Sequence, residues 1–222
     1  MNAASTSAAA TGELRPRLRG VLHRWAVVIF AGLSAGLFVA AEGAGSRTAV
    51  AIYGVCVTAM LGVSAVYHSG RLSPAAGRRL KRVDHATILL AIAGTYTAVT
   101  GLALDGTTRV VLLVVGWLAA LVGIAIRMIW LDAPYPLVAL VYLVVGWLPL
   151  VDLPAYLRAL SGGQVAWVVL GGLLYTAGGI IYALHRPNPW PTVFGYHEVF
   201  HALVVAGAAA HYLAVLALVR SG

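Results

Sequence analysis

The chain has 222 residues, 61% hydrophobic and only 10% charged, with a mean hydropathy of +0.90. A soluble domain carries about 25% charged residues, so this composition excludes an ordinary water-soluble enzyme and specifies an integral membrane protein. The formal charge of +8 does not imply a nucleic-acid partner, because the basic residues sit in short segments between apolar runs, where they set topology and touch anionic headgroups.

Residues 1–14 are rich in Ala, Ser and Thr and are expected to form a disordered tail rather than a signal peptide, which needs an apolar core and a cleavage site. Residues 15–222 are expected to form a single transmembrane domain. A membrane span needs about 20 mostly apolar residues. Seven runs qualify in chain order: Trp25–Ala41, Thr48–His68, His85–Ala103, Val110–Ile126, Tyr135–Val151, Val165–Leu184 and Tyr196–Val219. The fifth is closely flanked by Pro136 and Pro149, residues tolerated near span ends and at kinks. Small residues in the sixth and seventh runs (Gly171, Gly172, Gly178, Gly179, Ala206, Gly207, Ala210) predict tight helix packing. The fold class is therefore an all-α seven-helix membrane bundle.

Basic residues orient it. With the N-terminus in the cytoplasm, the inner segments hold Arg15, Arg17, Arg19, Arg24, Arg71, Arg78, Arg79, Lys81, Arg82, Arg127 and Arg186, and the outer ones hold only Arg47, Arg109, Arg158 and Arg220. The expectation is N-terminus inside, C-terminus outside.

Three histidines then stand out, because an ionisable side chain within a span is costly and marks function. His68 ends the second run; His197 and His201 begin the seventh. Topology counting brings all three to the cytoplasmic end, with Asp84 at the start of the third run at the same level. His197 and His201 are i,i+4 and share a helix face, about 6 Å apart along the axis. Two imidazoles from one helix and one from another leave a fourth position open, the arrangement of a catalytic rather than a structural Zn²⁺ site. Asp84 is placed to hold a water or a ligand imidazole. Ser64, one turn from His68, could hydrogen-bond that water or a substrate carbonyl.

His197-Glu198-Val199-Phe200-His201 also fits the zinc-protease pattern H-E-x-x-H, with Glu198 as base. No acidic residue follows Glu198 to serve as a downstream ligand, so Glu198 is expected at headgroup level in solvent. His23 and Arg19 are expected to orient the first span at the interface, with His23 alternatively lining the mouth of the site. His85 points about 100° away from Asp84. His211 lies about 15 Å beyond His201, and Cys56 about 18 Å from His68, both too far for the same ion. His185 is expected in a solvated loop, and the tryptophans in an aromatic belt. Arg78–Arg82 is a positive-inside signal that could also touch lipid headgroups.

The segments Arg15-Pro-Arg-Leu-Arg-Gly-Val-Leu-His23, Ser64-Ala-Val-Tyr-His68, Arg82-Val-Asp-His85, Gly94-Thr-Tyr-Thr97 and Gly195-Tyr-His-Glu-Val-Phe-His201 resemble, in order and spacing, the bacterial hemolysin III branch of the progestin and adipoQ receptor family. The resemblance covers about Arg15 to Tyr212. It implies a seven-span bundle holding zinc on His68, His197 and His201, with Asp84 and Ser64 as the catalytic pair. One departure is Ala98, where many relatives carry proline.

The wider group includes lipid amide hydrolases such as alkaline ceramidases. The resemblance thus implies a multi-pass cell-membrane protein, a zinc-dependent hydrolase of lipid amides or esters in membrane-lipid homeostasis, with membrane lipids as partners. Two alternatives stay open: a non-enzymatic membrane sensor with structural zinc, and a cytolytic membrane protein.

Overall fold

The computed structural model describes residues 16–69 and 72–221; the tail expected over 1–14 lies outside the described residues. Seven helical segments are long and apolar enough to cross a membrane: Val21–Ala40, Gly43–Ser69, Pro74–Ala103, Gly106–Ile129, Tyr135–Ala159, Gly162–Leu184 and Tyr196–Ser221. Among the described residues there is no strand, only an isolated bridge between Trp190 and Phe194. The expected all-α seven-helix fold is borne out, and the chain is a multi-pass membrane protein.

Two spans differ instructively from their apolar runs. The third helix starts at Pro74, eleven residues before His85. Ser73 caps it by accepting from Ala76 N, and proline takes the first helical position, where its missing N–H costs nothing. At about 1.5 Å per residue its 30 residues run about 45 Å, well beyond the ~30 Å hydrocarbon core. The basic run Arg78–Arg82 is thus a helical extension, not a loop. With alanine at position 98, the helix continues unbroken to Ala103. The fifth span does break: helix Tyr135–Gly146 gives way to a 3₁₀ turn, Leu148–Asp152, and a short helix, Leu153–Ala159. Pro149 and Pro154 lie at the starts of the last two segments, where proline fits and a continuous α-helix does not.

The third span is central, with 67% of its apolar window buried against 17% for the fourth. It packs on the second, which packs on the first, and the first meets the seventh. Outward faces are apolar, with Trp25, Val39, Val55 and Ile129 exposed to the surroundings. Lipid tails are as apolar as leucine, so close backbone approach and interhelical hydrogen bonds hold such a bundle together. Trp117 Nε1 donates to Thr97 Oγ1 (3.0 Å), Trp147 Nε1 to Thr176 Oγ1 (2.9 Å), and Thr100 bonds the Tyr156 hydroxyl (2.7 Å). Trp117 and Trp147 are therefore helix clamps rather than belt residues. The small residues of the sixth and seventh spans pack as expected, Gly178 against Phe200 and Gly207 against Tyr175.

Cys56 is a packing residue, seated on Gly94 of the third span. A Cβ at Gly94 would fall 2.7 Å from Cys56 Cβ and 3.3 Å from Ile52 O, so Gly94→Ala must push the second and third spans apart. Overpacking of this kind costs about 1–3 kcal/mol. The expected result is a lower melting temperature for purified Gly94→Ala, little recovered in Gly94→Ala/Cys56→Ala, which removes Sγ but keeps the clashing Cβ.

Candidate metal centre

His68 is in the last turn of the second span, and His197 and His201 in the first turns of the seventh. Their ring nitrogens include a set lying within 4.8 Å of one another, and His68 Nε2 faces His197 Nε2 at 3.2 Å. Two nitrogens bound at 2.0–2.1 Å to one tetrahedral ion stand about 3.3–3.4 Å apart, so His68 and His197 sit at nearly the separation a shared Zn²⁺ demands, with a His201 nitrogen within 4.8 Å of both. The donor set, three neutral-type nitrogens without a thiolate, suits zinc and its neighbours in the transition series.

Asp84 is not a fourth member of this group. It is buried (8% exposed), interacts with the Ser64 hydroxyl, and both line the same cavity as the three histidines. The residues that topology counting placed at one level thus line one cavity. His85 Nδ1 instead bonds Lys81 O at 2.7 Å. His211 Nε2 bonds Val168 O at 3.1 Å.

The cavity has a volume of about 900 Å³. It runs from the histidines past Met60, Ile88 and Val204 to Tyr96, Trp147, Gly172 and His211. Twelve helical residues separate Asp84 from Tyr96, which sets a depth of about 18 Å. Its walls are mainly apolar and aromatic, with the charged side chains Arg19, Lys81 and Asp84 at the histidine end.

The seventh span is fixed at that end by contacts that local sequence patterns do not disclose. Glu198, expected in solvent, is 1% exposed. One of its oxygens meets Arg19 Nε at 3.0 Å, and the other accepts from Gly195 N at 2.8 Å, at the start of the helix. A carboxylate in a helix's first turn also opposes the positive end of the dipole. Residues 16–20 reach it as a strap: Arg17 N bonds Thr192 O (3.0 Å) and Leu18 N bonds Val193 O (3.1 Å). Gly20 closes the strap in the left-handed region (φ 76°), where an added Cβ would lie 2.9 Å from His68 Cβ. The strap delivers His23, which is buried and stacks on His201 with ring centroids 3.9 Å apart and planes 4° from parallel.

His23 thus lines the site, the alternative its position had left open, and Arg19 is part of the same wall rather than an interfacial anchor. His185, expected in solvent, is half-buried against Tyr135 and Tyr196. Glu198 is committed to an ion pair and a backbone bond, which removes it as the base of a protease. Removing one partner of a buried pair costs about 3–5 kcal/mol. Arg19→Ala is expected to destabilise the protein by that order, because it leaves the Glu198 carboxylate buried and uncompensated, and Glu198→Ala by less, because Arg19 is the more exposed partner and can reach solvent; chemical denaturation of both variants checks it.

The haemolysin-III-related family profile matches residues 12–212 of the chain. The protein belongs to the haemolysin-III-related family. Among its relatives, the hemolysin-3 homolog of Bacillus subtilis (strain 168) is 36% identical over 137 residues, 62% of either chain. Hemolysin-3 of Bacillus cereus is 28% identical over 173 residues, 78% of this chain and 76% of that one. The adiponectin receptor protein of Drosophila melanogaster is 41% identical over 58 residues, 24% of this chain and 13% of that one. These matches bear out the hemolysin III branch, within the progestin and adipoQ receptor family, that the sequence motifs resemble.

Proposed function

We propose that this haemolysin-III-related protein is a zinc-dependent hydrolase of lipid amides or esters, with its site opening toward the cytoplasm. The observation that carries the reading is the placement of three imidazoles, a buried carboxyl and a hydroxyl together at one end of a deep, mainly apolar cavity. Basic residues concentrated in the segments at that end support the orientation.

His68, His197 and His201 would hold the ion, His201 braced by the ring of His23. Bound zinc supplies Lewis acidity toward a carbonyl oxygen and toward water. The apolar cavity holds the acyl chain of the lipid and excludes bulk water, so the scissile carbonyl stops at the polar end. Asp84 takes a proton from the attacking water and returns it to the leaving amine or alkoxide. Ser64 donates its single hydroxyl hydrogen to Asp84 while the carboxylate is charged, and to the oxygen that gains charge once Asp84 has taken the proton.

The test is turnover by purified protein in nanodiscs, on a panel of N-acyl and ester lipids. Hydrolysis is expected to stop on chelation and return with added Zn²⁺. Stoichiometric zinc with no turnover on any member of the panel would overturn the hydrolase reading, leaving a metal that fastens the second span to the seventh.

A further inference from the structure

Beside the main cavity lies a smaller pocket of about 150 Å³, sharing Lys81, His85, Tyr135 and Tyr182 with it. Its other polar lining residues are Arg127 and Asp132. Arg127 is in the last turn of the fourth span and only 2% exposed. Two of its nitrogens donate to carbonyls just past the helix end, Nη1 to Trp130 O (2.8 Å) and Nη2 to Leu131 O (2.9 Å). The guanidinium also interacts with the Tyr142 hydroxyl; its Nε is buried without a hydrogen-bond partner, and among the described residues no carboxylate pairs with it.

A helix-capping arginine needs only its two terminal nitrogens, and capping can be done from solvent. It does not account for a whole guanidinium buried against a pocket with its third donor face unmatched. Burying an uncompensated charge costs several kcal/mol. The one acid nearby, Asp132, is 70% exposed at its side chain and is already engaged by Lys81 (3.4 Å) and Arg78 (3.9 Å). The pocket therefore carries surplus positive charge, from the Arg127 guanidinium and the Lys81 ammonium against the single Asp132 carboxylate.

We propose that this pocket binds a phosphate group, held by the Arg127 guanidinium and Lys81 Nζ. Its volume is an order of magnitude above the ~10–15 Å³ that one water needs, enough for a phosphate with the first atoms of a substituent. Guanidinium and ammonium together suit phosphate oxygens. Because the pocket shares four lining residues with the main cavity, the phosphate would sit at the cavity's polar end. Its source is the headgroup of a glycerophospholipid or free inorganic phosphate. The site requires neither the metal nor any hydrolytic activity.

The experiment uses the full chain in maltoside micelles, which carry no phosphate, with a chelator present so that no metal binds the anion. Inorganic phosphate and short-chain phosphatidic acid are titrated separately against chloride of matched ionic strength, reading melting temperature and calorimetric affinity. A saturable response to at least one phosphate is expected. Response to inorganic phosphate assigns the free anion as a ligand, and response to the lipid alone assigns a headgroup.

Lys81→Gln and Arg127→Gln should each weaken binding tenfold or more, and Asp132→Asn should tighten it severalfold. His68→Ala should leave it unchanged, which separates this site from the metal centre. Should Arg127→Gln fail to fold, the exposed-side-chain variants Lys81→Gln and Asp132→Asn decide the matter. No saturable response in the wild type, or wild-type affinity in both Lys81→Gln and Asp132→Asn, would overturn the proposal.

Discussion

Asp84→Asn is expected to keep its zinc and lose its turnover, by about 10²–10⁴-fold, the usual worth of a positioned general acid–base group. Asn occupies the space of Asp and can still bond Ser64, but it cannot accept a proton from water. Since Asp84 stands outside the group of three nitrogens, the substitution removes no ligand. It also removes a carboxyl that is 8% exposed, so folding stability should hold or rise. Ser64→Ala should cost less. A hydrogen bond to a charged group contributes about 1.5–3 kcal/mol, which corresponds to roughly ten- to hundredfold in rate. Metal content by mass spectrometry, beside single-turnover rates, separates the two effects. Wild-type hydrolysis in Asp84→Asn would rule out the proton-transfer role.

The spans were legible because each apolar run must be long enough to cross a bilayer, and that constraint needs no knowledge of neighbours. The start of the third helix was hidden for the same reason. Arg78–Arg82 breaks the apolar pattern, while the helix itself runs back to a Ser-Pro start that an apolar window passes over. His68, Asp84, His197 and His201 could be placed at one level by counting crossings, since an odd or even number of spans fixes which ends meet.

Several residues that sequence reading misplaced depend on a fold-back that no local pattern encodes. Glu198 at a span end is solvated by default; it is buried here because residues 16–20 return across the end of the seventh span and present Arg19. The same strap decides between the two places open to His23, seating it at the site as the partner of His201. Arg127 looked like one more inward-facing positive charge, and its burial follows from the turn after the fourth span folding its carbonyls back over the guanidinium. A weak signal for the strap did exist. A glycine directly before the first apolar residues, at position 20, is costly in a helix and useful where the backbone must approach another chain closely.

Replacing any one of the three histidines is expected to abolish stoichiometric zinc. His68 comes from one span and the other two from another, so the ion would be the covalent-strength link between helices that otherwise meet mainly through their side chains. Loss of an outer-shell partner weakens metal sites about 10–100-fold, and loss of one direct ligand of three should exceed that. His197→Ala leaves two nitrogens on separate spans and removes the ring facing His68 Nε2 at 3.2 Å. His68→Ala leaves an i,i+4 pair on one helix with nothing opposite.

A site binding only the folded state stabilises it by about 4 kcal/mol when free metal is a thousandfold above the dissociation constant. Chelation should therefore lower the wild-type melting temperature markedly and barely move that of His68→Ala. His211→Ala and Cys56→Ser, about 15–18 Å away along their helices, should retain zinc. His23→Ala should retain it with weaker affinity, because His201 loses the ring that fixes its plane. Stoichiometric zinc in both His68→Ala and His197→Ala would place the metal elsewhere and dissolve the link between this constellation and the reaction.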